Sequence, residues 1–171
     1  SREEARGRLD LGTEPVVLLS FGGPGLPGID LGAYGGLDGY RFLLTGHSGD
    51  GAAPSNLRKL DGGELEAAGL EYTDLVGAAD VVVTKPGYGI VTDCIGAGTP
   101  MVYTDRGDFP EYPILSREMK RYIPAVHATN DEVRHGRLGS ALDAVRAMPL
   151  PERPRIDGAD VAAERLLAQL V

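Results

Sequence analysis

Apolar and polar residues follow one another along this chain in blocks that predict strands alternating with helices. Four apolar runs predict strands, namely Pro15–Phe21, Tyr40–Thr45, Val81–Thr84 and Met101–Tyr103. The first run is continuously apolar, which is typical of a strand that is buried on both faces of a parallel sheet. Leu70–Tyr72 predicts a further short strand.

Helical patterns occupy most of the intervals between these strands. Asp74–Ala79 predicts a short helix with Asp74 as its N-cap residue, and Gly89–Gly98 predicts a longer one. The remaining predicted helices are Asp30–Leu37, a stretch near Asn56–Leu60 within the otherwise irregular segment 47–63, Pro113–Arg121, Asp131–Met148 with a break at Gly136, and Ala159–Leu170. A mobile connection is expected after Arg121. Strands that alternate with helices predict an α/β fold with a doubly wound parallel sheet.

The length of the chain limits the number of domains that it can form. A total of 171 residues is sufficient for one domain with a proper hydrophobic core, so we predict a single domain over residues 1–171. The charged segment Arg2–Leu11 predicts a lead-in helix over residues 1–11 from a missing N-terminal domain, since the first residue is Ser rather than Met. Ala159–Leu170 is expected to close the domain.

Charge and composition exclude several kinds of partner. The formal net charge of −8 argues against nucleic acid, because phosphate contacts need a basic surface. The single cysteine, Cys94, excludes an internal disulfide and predicts a cytoplasmic protein in which this thiol fills the core. No apolar stretch is long enough to predict an integral membrane segment. His47, His127 and His135 lack the spacing of metal ligands, so no metal site is expected.

A glycine-rich loop, Ser20–Gly28, follows the first predicted strand. Four of the seven residues from Gly22 to Gly28 are glycine, which is more than a tight turn requires. The loop lacks the Lys-Ser/Thr of a P-loop and does not fit G-x-G-x-x-G. Its residues are therefore compatible with binding a phosphate through backbone N–H groups or with close backbone packing alone.

A second loop, Lys85–Gly89, joins the third predicted strand to a helix. Pro86 ends the strand, and Gly87 and Gly89 leave the helix N-terminus open, with unpaired N–H groups and a partial positive charge. Asp93 lies one turn further on, where its carboxylate would either complement the helix dipole or accept hydrogen bonds from sugar hydroxyls. Lys85 would either neutralise phosphate charge or remain solvated.

The run from Leu75 to Pro113 resembles the nucleotide-sugar-binding half of glycosyltransferases with two Rossmann-like domains, the GT-B class. It is more similar to the glycosyltransferase-like domain fused to plant arabinokinases, which has a comparable Lys-x-Gly-Tyr-Gly junction between strand and helix. Ala97–Pro100 and Ser20–Gly23 also match the pattern of the family. The resemblance implies one Rossmann-like half of a GT-B fold, with a nucleotide-diphosphate sugar as substrate, UDP as the expected nucleotide, and no further cofactor.

The resemblance also implies roles for individual residues. The family has Glu at the position of Asp93, and its loop after the fourth strand contacts the donor hexose. The implied diphosphate-binding residues are Gly22, Gly23, Gly87, Tyr88 and Gly89; Asp93 would bind the ribose; Arg106, Asp108 and Glu111 would lie in the donor-sugar region.

The function implied is that of the donor-binding, C-terminal half of a glycosyltransferase that transfers a hexosyl-type group to an unknown acceptor. Its catalytic groups are expected in the missing N-terminal acceptor domain, so the chain alone would be inactive. One alternative is a non-catalytic domain that senses sugar nucleotides and is attached to a sugar kinase, which would need the same pocket. A lower-ranked alternative is one half of a UDP-sugar 2-epimerase, which shares the fold.

Overall fold

A computed structural model describes residues 1–23, 25–46 and 49–169 of the chain. The strands are β1 Val16–Leu19, β2 Arg41–Thr45, β3 Leu57–Leu60, β4 Val81–Thr84, β5 Met101–Tyr103 and β6 Ala125–His127. Within the described ranges they form one sheet of six strands in the order β3-β2-β1-β4-β5-β6, and every pairing is parallel.

Helices cover both faces of this sheet. The α-helices are α1 Arg2–Arg8, α2 Gly62–Ala67, α3 Tyr72–Ala78, α4 Tyr88–Ala97, α5 Tyr112–Glu118, α6 Asn130–Arg134, α7 Gly139–Ala147 and α8 Gly158–Leu167; 3₁₀ helices span Leu31–Gly36 and Met119–Arg121. The predicted Rossmann-like, doubly wound α/β fold is confirmed. Among the described helices, none has the length and apolar character needed to cross a membrane.

Strand β1 shows why the sheet is buried on both sides. Val17 and Leu19 pack into one apolar layer, while Val16 and Leu18 pack into the other, and all four are fully buried. Burial of one such side chain contributes about 1.5–3 kcal/mol. The continuous apolar run in the sequence therefore reflects two cores rather than one.

The two cores are closed by different helices. The first core is the one that contains Val16 and Leu18 of β1. Ala5 of α1, Leu75 of α3 and Val91 of α4 belong to it. The second core contains Val17 and Leu19 of β1. Tyr34 of the first 3₁₀ helix and Leu142 of α7 belong to this core, where the Tyr34 ring meets Phe42 edge-on. Because a helical layer covers each face, the edge of the sheet at which the strands end is left for ligands.

Helix α1 is fastened to the rest of the domain through Asp80. The carboxylate of Asp80 accepts hydrogen bonds from Arg2 Nη2 at 2.5 Å, from Arg6 Nη1 at 3.1 Å and from the backbone N–H of Val16 at 2.7 Å. Ala5 and Leu9 of the same segment are buried. The N-terminal segment is thus part of the layer that covers the first core.

Two local predictions are wrong. The stretch near Asn56–Leu60, predicted as helical, contains strand β3, in which Leu57 and Leu60 are buried while Lys59 is exposed. Leu70–Tyr72, predicted as a strand, instead leads into helix α3. Asp74 Oδ2 accepts a hydrogen bond from the N–H of Glu71, so Asp74 is the third helical residue and not the N-cap.

Two elements were not predicted. Strand β6, Ala125–His127, lies in the stretch that was expected to be a mobile connection, and it pairs with β5. Helix α2, Gly62–Ala67, begins with a reciprocal pair of hydrogen bonds between Asp61 and Glu64. In contrast, the predicted break at Gly136 is confirmed, because α6 ends at Arg134 and α7 begins at Gly139.

Candidate functional site

The candidate site lies where the strand order of the sheet reverses. Strands β1 and β4 are neighbours, and the chain continues from them in opposite directions, to β2 and β3 on one side and to β5 and β6 on the other. The N–H of Ser20 donates to the carbonyl oxygen of Val83 at 3.0 Å, which holds the two strand ends together. Ligands of doubly wound sheets bind at such a switch point, beyond the carboxyl ends of the strands.

A cavity of about 630 Å³ opens at this point. A volume of this size is typical of small-molecule sites. Its lining residues are Ser20, Phe21, Gly22, Gly23, Tyr72, Thr84, Lys85, Gly87, Tyr88, Gly89, Ile90 and Arg106. The structure therefore brings together all five residues predicted to bind diphosphate, and it adds Arg106.

The glycine-rich loop forms one wall of the cavity. Gly22 has a φ of 73°, a conformation that glycine adopts readily and that other residues rarely adopt. The N–H of Gly25 donates to the carbonyl oxygen of Gly22 at 2.9 Å and closes a tight turn. A Cβ atom added at Gly22 or Gly23 would meet no atom of the other described residues within 4 Å. The turn needs glycine at position 22, and the space above the loop is open to a ligand.

The N-terminus of helix α4 forms the opposite wall. Gly87 is the N-cap residue, and no side chain among the described residues caps this end of the ten-residue helix. The first N–H groups of a helix have no partners within the helix, and they carry a partial positive charge. A Cβ atom at Gly89 would also meet no atom within 4 Å. The helix thus presents unpaired donors to the cavity, and no side chain of Gly87 or Gly89 stands in front of them.

Two cationic side chains, Lys85 and Arg106, complete the wall. Lys85 Nζ donates to the carbonyl oxygen of Gly25, and Arg106 Nη1 donates to that of Pro86 at 2.5 Å. The guanidinium of Arg106 also lies 4.1 Å from the centre of the Phe109 ring. Burial, and secondly the charge of Arg106, lower the pKa of Lys85. In the described part of the chain neither cation forms an ion pair with a carboxylate.

Tyr72 is a lining residue that the sequence analysis did not identify. Its hydroxyl donates to Ser20 Oγ at 2.7 Å, and Thr45 Oγ1 donates to the same oxygen at 3.0 Å. Burial is the main cause of the raised pKa of Tyr72. Tyr72 also lines a second cavity of about 420 Å³, together with residues such as Thr45 and Leu60. The acidic pair Glu71 and Asp74, three residues apart, is the sequence signal that could have placed Tyr72 at the start of a helix.

Asp93 lies beside the cavity and not in its lining. It is half-buried on α4, where it lines a groove between α3 and α4 that also contains Thr73 and Gly77. Its charge nevertheless contributes to the raised pKa of Tyr72, after burial and the charge of Cys94. The predicted ribose-binding carboxylate therefore acts on the cavity through its charge and does not line it.

The loop after β5 separates the three residues predicted for the donor-sugar region. Arg106 lies at the mouth of α4, as described above. Glu111 is exposed and precedes α5, and its charge contributes, after partial desolvation, to the raised pKa of Tyr88. Asp108 is exposed and is not among the described lining residues.

The remaining titratable candidates lie away from the lining. His127 Nε2 is 2.8 Å from Asp105 Oδ1, and His135 Nδ1 is 3.2 Å from Asp131 Oδ1. His47 lies outside the described residues. Cys94 is fully buried, which confirms its predicted place in the core, and burial raises the pKa of its thiol.

Comparison with known proteins places this geometry in context. No model of a known protein family matches the chain. The L-arabinokinase of Arabidopsis thaliana is 29% identical over 168 residues, which cover 97% of this chain and 15% of that protein. This similarity confirms the predicted resemblance to a segment of plant arabinokinases. The chain spans only a small part of that relative.

Solved structures of glycosyltransferases share the fold. The glycosyltransferase VinC in complex with dTDP superposes with a TM-score of 0.60 at 20% identity, over 84% of this chain and 36% of VinC. Arabidopsis thaliana UGT89C1 gives a TM-score of 0.60 at 18% identity, over 88% of this chain and 39% of that protein. The same enzyme complexed with UDP-L-rhamnose gives a TM-score of 0.58. The chain therefore has the fold of one Rossmann-like half of a GT-B glycosyltransferase.

Proposed function

We propose that the chain is the nucleotide-sugar-binding half of a glycosyltransferase, with UDP as the expected nucleotide of the donor. The observation that carries this proposal is the pairing of a glycine-rich loop with an uncapped helix N-terminus across one cavity at the switch point of the sheet. Solved neighbours with the same fold were determined in complexes with dTDP and with UDP-L-rhamnose, which supports a nucleotide-diphosphate sugar as ligand.

The walls of the cavity suit a departing nucleoside diphosphate. The N–H groups of α4 would stabilise the negative charge that develops on the diphosphate as the glycosidic bond breaks, because fixed donors need no reorganisation during the reaction. Gly22, Gly23, Gly87, Tyr88 and Gly89 would surround the diphosphate. In this arrangement Asp93 would accept hydrogen bonds from the ribose hydroxyls, while Asp108 and Glu111 would face a hexosyl-type group.

The same cavity lacks a group that activates an acceptor. Among the described lining residues there is no carboxylate and no histidine, and the polar side chains present are those of Ser20, Tyr72, Thr84, Tyr88, Lys85 and Arg106. A general base has to reach the acceptor hydroxyl directly or through one water molecule. The base would therefore come from a second, N-terminal domain that also binds the acceptor, and the chain alone would bind donor without transferring it.

A second candidate function, the sensing of sugar nucleotides, is supported by the similarity to L-arabinokinase. The similarity to L-arabinokinase covers nearly all of this chain, so the cavity would serve as a non-catalytic sensor of sugar nucleotides beside a sugar kinase domain. Sensor and transferase need the same donor pocket, and they differ in what the full-length protein does. A sensor would change the kinase rate when the nucleotide sugar binds, whereas a transferase would release free UDP in the presence of an acceptor.

Titration of the ¹⁵N-labelled chain with UDP, dTDP and GDP tests the donor site. We expect chemical-shift changes at Gly87–Asp93, with affinities on the order of tens of micromolar or weaker, since one wall of the complete cleft gives little burial. UDP is expected to bind more tightly than GDP. If none of the three nucleotides perturbs these residues, the proposal is wrong.

A further inference from the structure

The loop after β5 begins near Asp105, and the carboxylate of this residue is held by β6 and α6. His127 Nε2, at the end of β6, lies 2.8 Å from Asp105 Oδ1. An ionised carboxylate only accepts hydrogen bonds, so this ring nitrogen carries a proton and is the donor. The N–H of Asn130, the first residue of α6, donates to Asp105 Oδ2 at 3.4 Å. Both oxygens of Asp105 therefore have partners on the neighbouring strand–helix unit.

The strand ends beneath this contact are joined to one another. Tyr103 of β5 and His127 of β6 are partners in the parallel pairing, and the centres of their rings lie 5.2 Å apart. The N–H of Ala128 donates to the carbonyl oxygen of Tyr103 at 2.9 Å. Thr104 is fully buried, and its hydroxyl donates to Asn130 Oδ1 at 2.8 Å. His127 thus holds the start of the loop from a well-packed part of the sheet.

The next residue, Arg106, is held from the opposite side, by the loop that leads into α4. Its Nη1 atom donates to the carbonyl oxygen of Pro86 at 2.5 Å and lies where a Cβ atom on Gly87 would lie. Its guanidinium lies 4.1 Å from the centre of the Phe109 ring in the same loop. Two adjacent side chains, those of Asp105 and Arg106, are thus attached to different parts of the sheet edge. These two attachments set the direction in which the loop leaves β5.

The far end of the loop returns towards Asp105. The charge of Asp105 contributes, after burial, to the raised pKa of Tyr112, the first residue of α5. Segment 105–111 is therefore closed at its base beside one carboxylate. Glu111, at the far end, lies close enough to Tyr88 of α4 to contribute to the raised pKa of that side chain after its desolvation. A shift of Asp105 would therefore move both ends of the loop relative to the cavity.

We propose that His127 is a positioning residue for the candidate site. Through Asp105 it sets the placement of segment 105–111, and with it the placement of Arg106 in the lining of the cavity. This inference rests on the proposed nucleotide-sugar site and extends it to a side chain that lies outside the lining. The effect of His127 on a ligand is indirect, because its ring contacts Asp105 and not the cavity.

The charge of His127 provides a first test. A protonated ring should hold Asp105 more tightly, since a hydrogen bond between two charged groups is shorter and stronger than one from a neutral donor. The other charged groups on the elements around the ring are Glu132 of α6, whose lowered pKa includes a contribution from His127, and Lys120, whose Nζ lies 5.3 Å from the centre of the Tyr103 ring. In NMR spectra recorded over a range of pH, the backbone amides of segment 105–111 should follow the titration of the His127 ring with the same midpoint.

Two variants separate the hydrogen bond from the packing of the ring. His127→Phe keeps a ring beside Tyr103 and removes the donor, whereas His127→Gln keeps an N–H donor at about the position of Nε2. In the unliganded chain we expect the amides of segment 105–111 and the Nε–H signal of Arg106 to shift in the phenylalanine variant only. Calorimetry should show a Kd for UDP that is about threefold to tenfold higher in His127→Phe, the effect of losing one hydrogen bond, and changed by less than about twofold in His127→Gln.

His135→Phe is the matched control. His135 belongs to another histidine–aspartate pair, with its Nδ1 atom 3.2 Å from Asp131 Oδ1, and neither residue is part of the loop. The change should leave the loop amides, their titration and the Kd for UDP as they are. Asp105→Ala removes the proposed contact from its other side. Combined with His127→Phe it should weaken binding little more than either change alone, because both act on one contact.

The outcomes of these experiments distinguish the proposal from its basis. If the loop amides of His127→Phe match those of the unaltered chain, or do not follow the titration of the ring, His127 does not position the loop and the proposal is wrong. Equal Kd values for UDP in His127→Phe and the unaltered chain, or equal losses in the phenylalanine and glutamine variants, also overturn it. If the loop responds as expected but the unaltered chain binds no UDP, the nucleotide-sugar proposal fails while the control of the loop by His127 stands.

Discussion

The guanidinium of Arg106 occupies the space above Gly87 in which any other residue would carry its Cβ atom. Gly87 has a φ of −143°, an extended conformation that any residue adopts. The glycine is therefore needed here for room and not for backbone freedom. Its absent side chain allows an arginine from the neighbouring loop to lie at the mouth of helix α4.

Gly87→Ala tests this relationship. The added methyl group would displace the guanidinium, so we expect the Kd for UDP to rise about as much as in Arg106→Gln, while the melting temperature falls by no more than a few degrees. Calorimetry and thermal unfolding would measure the two effects. In the Arg106→Gln background the alanine should weaken binding little further, because the two changes act on one contact. Fully additive losses would contradict this explanation.

Gly89→Val tests the open helix mouth. A Cβ atom at this position meets nothing within 4 Å, so the fold should accept the side chain, with a shift of only a few degrees in the melting temperature. The branched side chain would occupy the space assigned to the diphosphate, and we expect UDP binding to be lost. Gly158→Val on helix α8 is the control, since position 158 is equally free of described contacts and lines neither the cavity nor the groove that contains Asp93.

Asp93→Ala separates the two roles considered for this carboxylate. If Asp93 binds the ribose hydroxyls, UDP affinity should fall by roughly 1–3 kcal/mol, the range for a hydrogen bond to a charged group. The affinity for inorganic pyrophosphate, which has no ribose, should stay the same. Equal UDP binding in the variant, with only roughly 0.3–1 kcal/mol of stability lost, would leave Asp93 as a complement to the helix dipole.

The lowered pKa of Lys85 predicts a pH dependence. If the protonated amine of Lys85 binds the diphosphate, UDP affinity should be full below this lowered pKa and should decrease as the pH rises through it. The free energy of unfolding of the unliganded chain should increase with pH between the lowered and the ordinary lysine pKa, since the unfolded chain there holds a proton that the folded chain has released. Neither change should occur over this interval in Lys85→Met.

The isolated chain is expected to show no glycosyl transfer. The described cavity lining offers no carboxylate or histidine to deprotonate an acceptor, so incubation with UDP-glucose and a panel of alcohols should release at most traces of UDP. A coupled assay for UDP would measure this release. Sustained turnover by the purified chain, abolished in Gly89→Val, would show that it contains the whole active site.

The central strands could be predicted from the sequence, but the edge strands could not. The interior strands β1, β2, β4 and β5 are buried on both faces at their centres, so each contains at least three consecutive apolar residues. Strand β3 lies at an edge of the sheet, and its sequence Leu57–Leu60 has two basic residues between the buried leucines. Strand β6 has only three residues, and only its pairing with β5 identifies it.

The two loops of the site could be predicted, whereas the contacts between them could not. The glycines of both loops are visible in the sequence, and each loop follows an apolar run. The approach of Lys85 to Gly25, and of Arg106 to Gly87, depends on which strands are neighbours in the sheet. Tyr72 was missed because Leu70–Tyr72 was predicted to be a strand.

The attachment of helix α1 sets a limit on how far the chain can be trimmed. A version that began at Pro15 would leave Asp80 without Arg2 and Arg6, and it would open to water the part of the core that Leu9 now covers. An expression boundary or a protease cut within the first dozen residues would therefore be expected to yield an aggregation-prone product, and not a shorter but equally stable one.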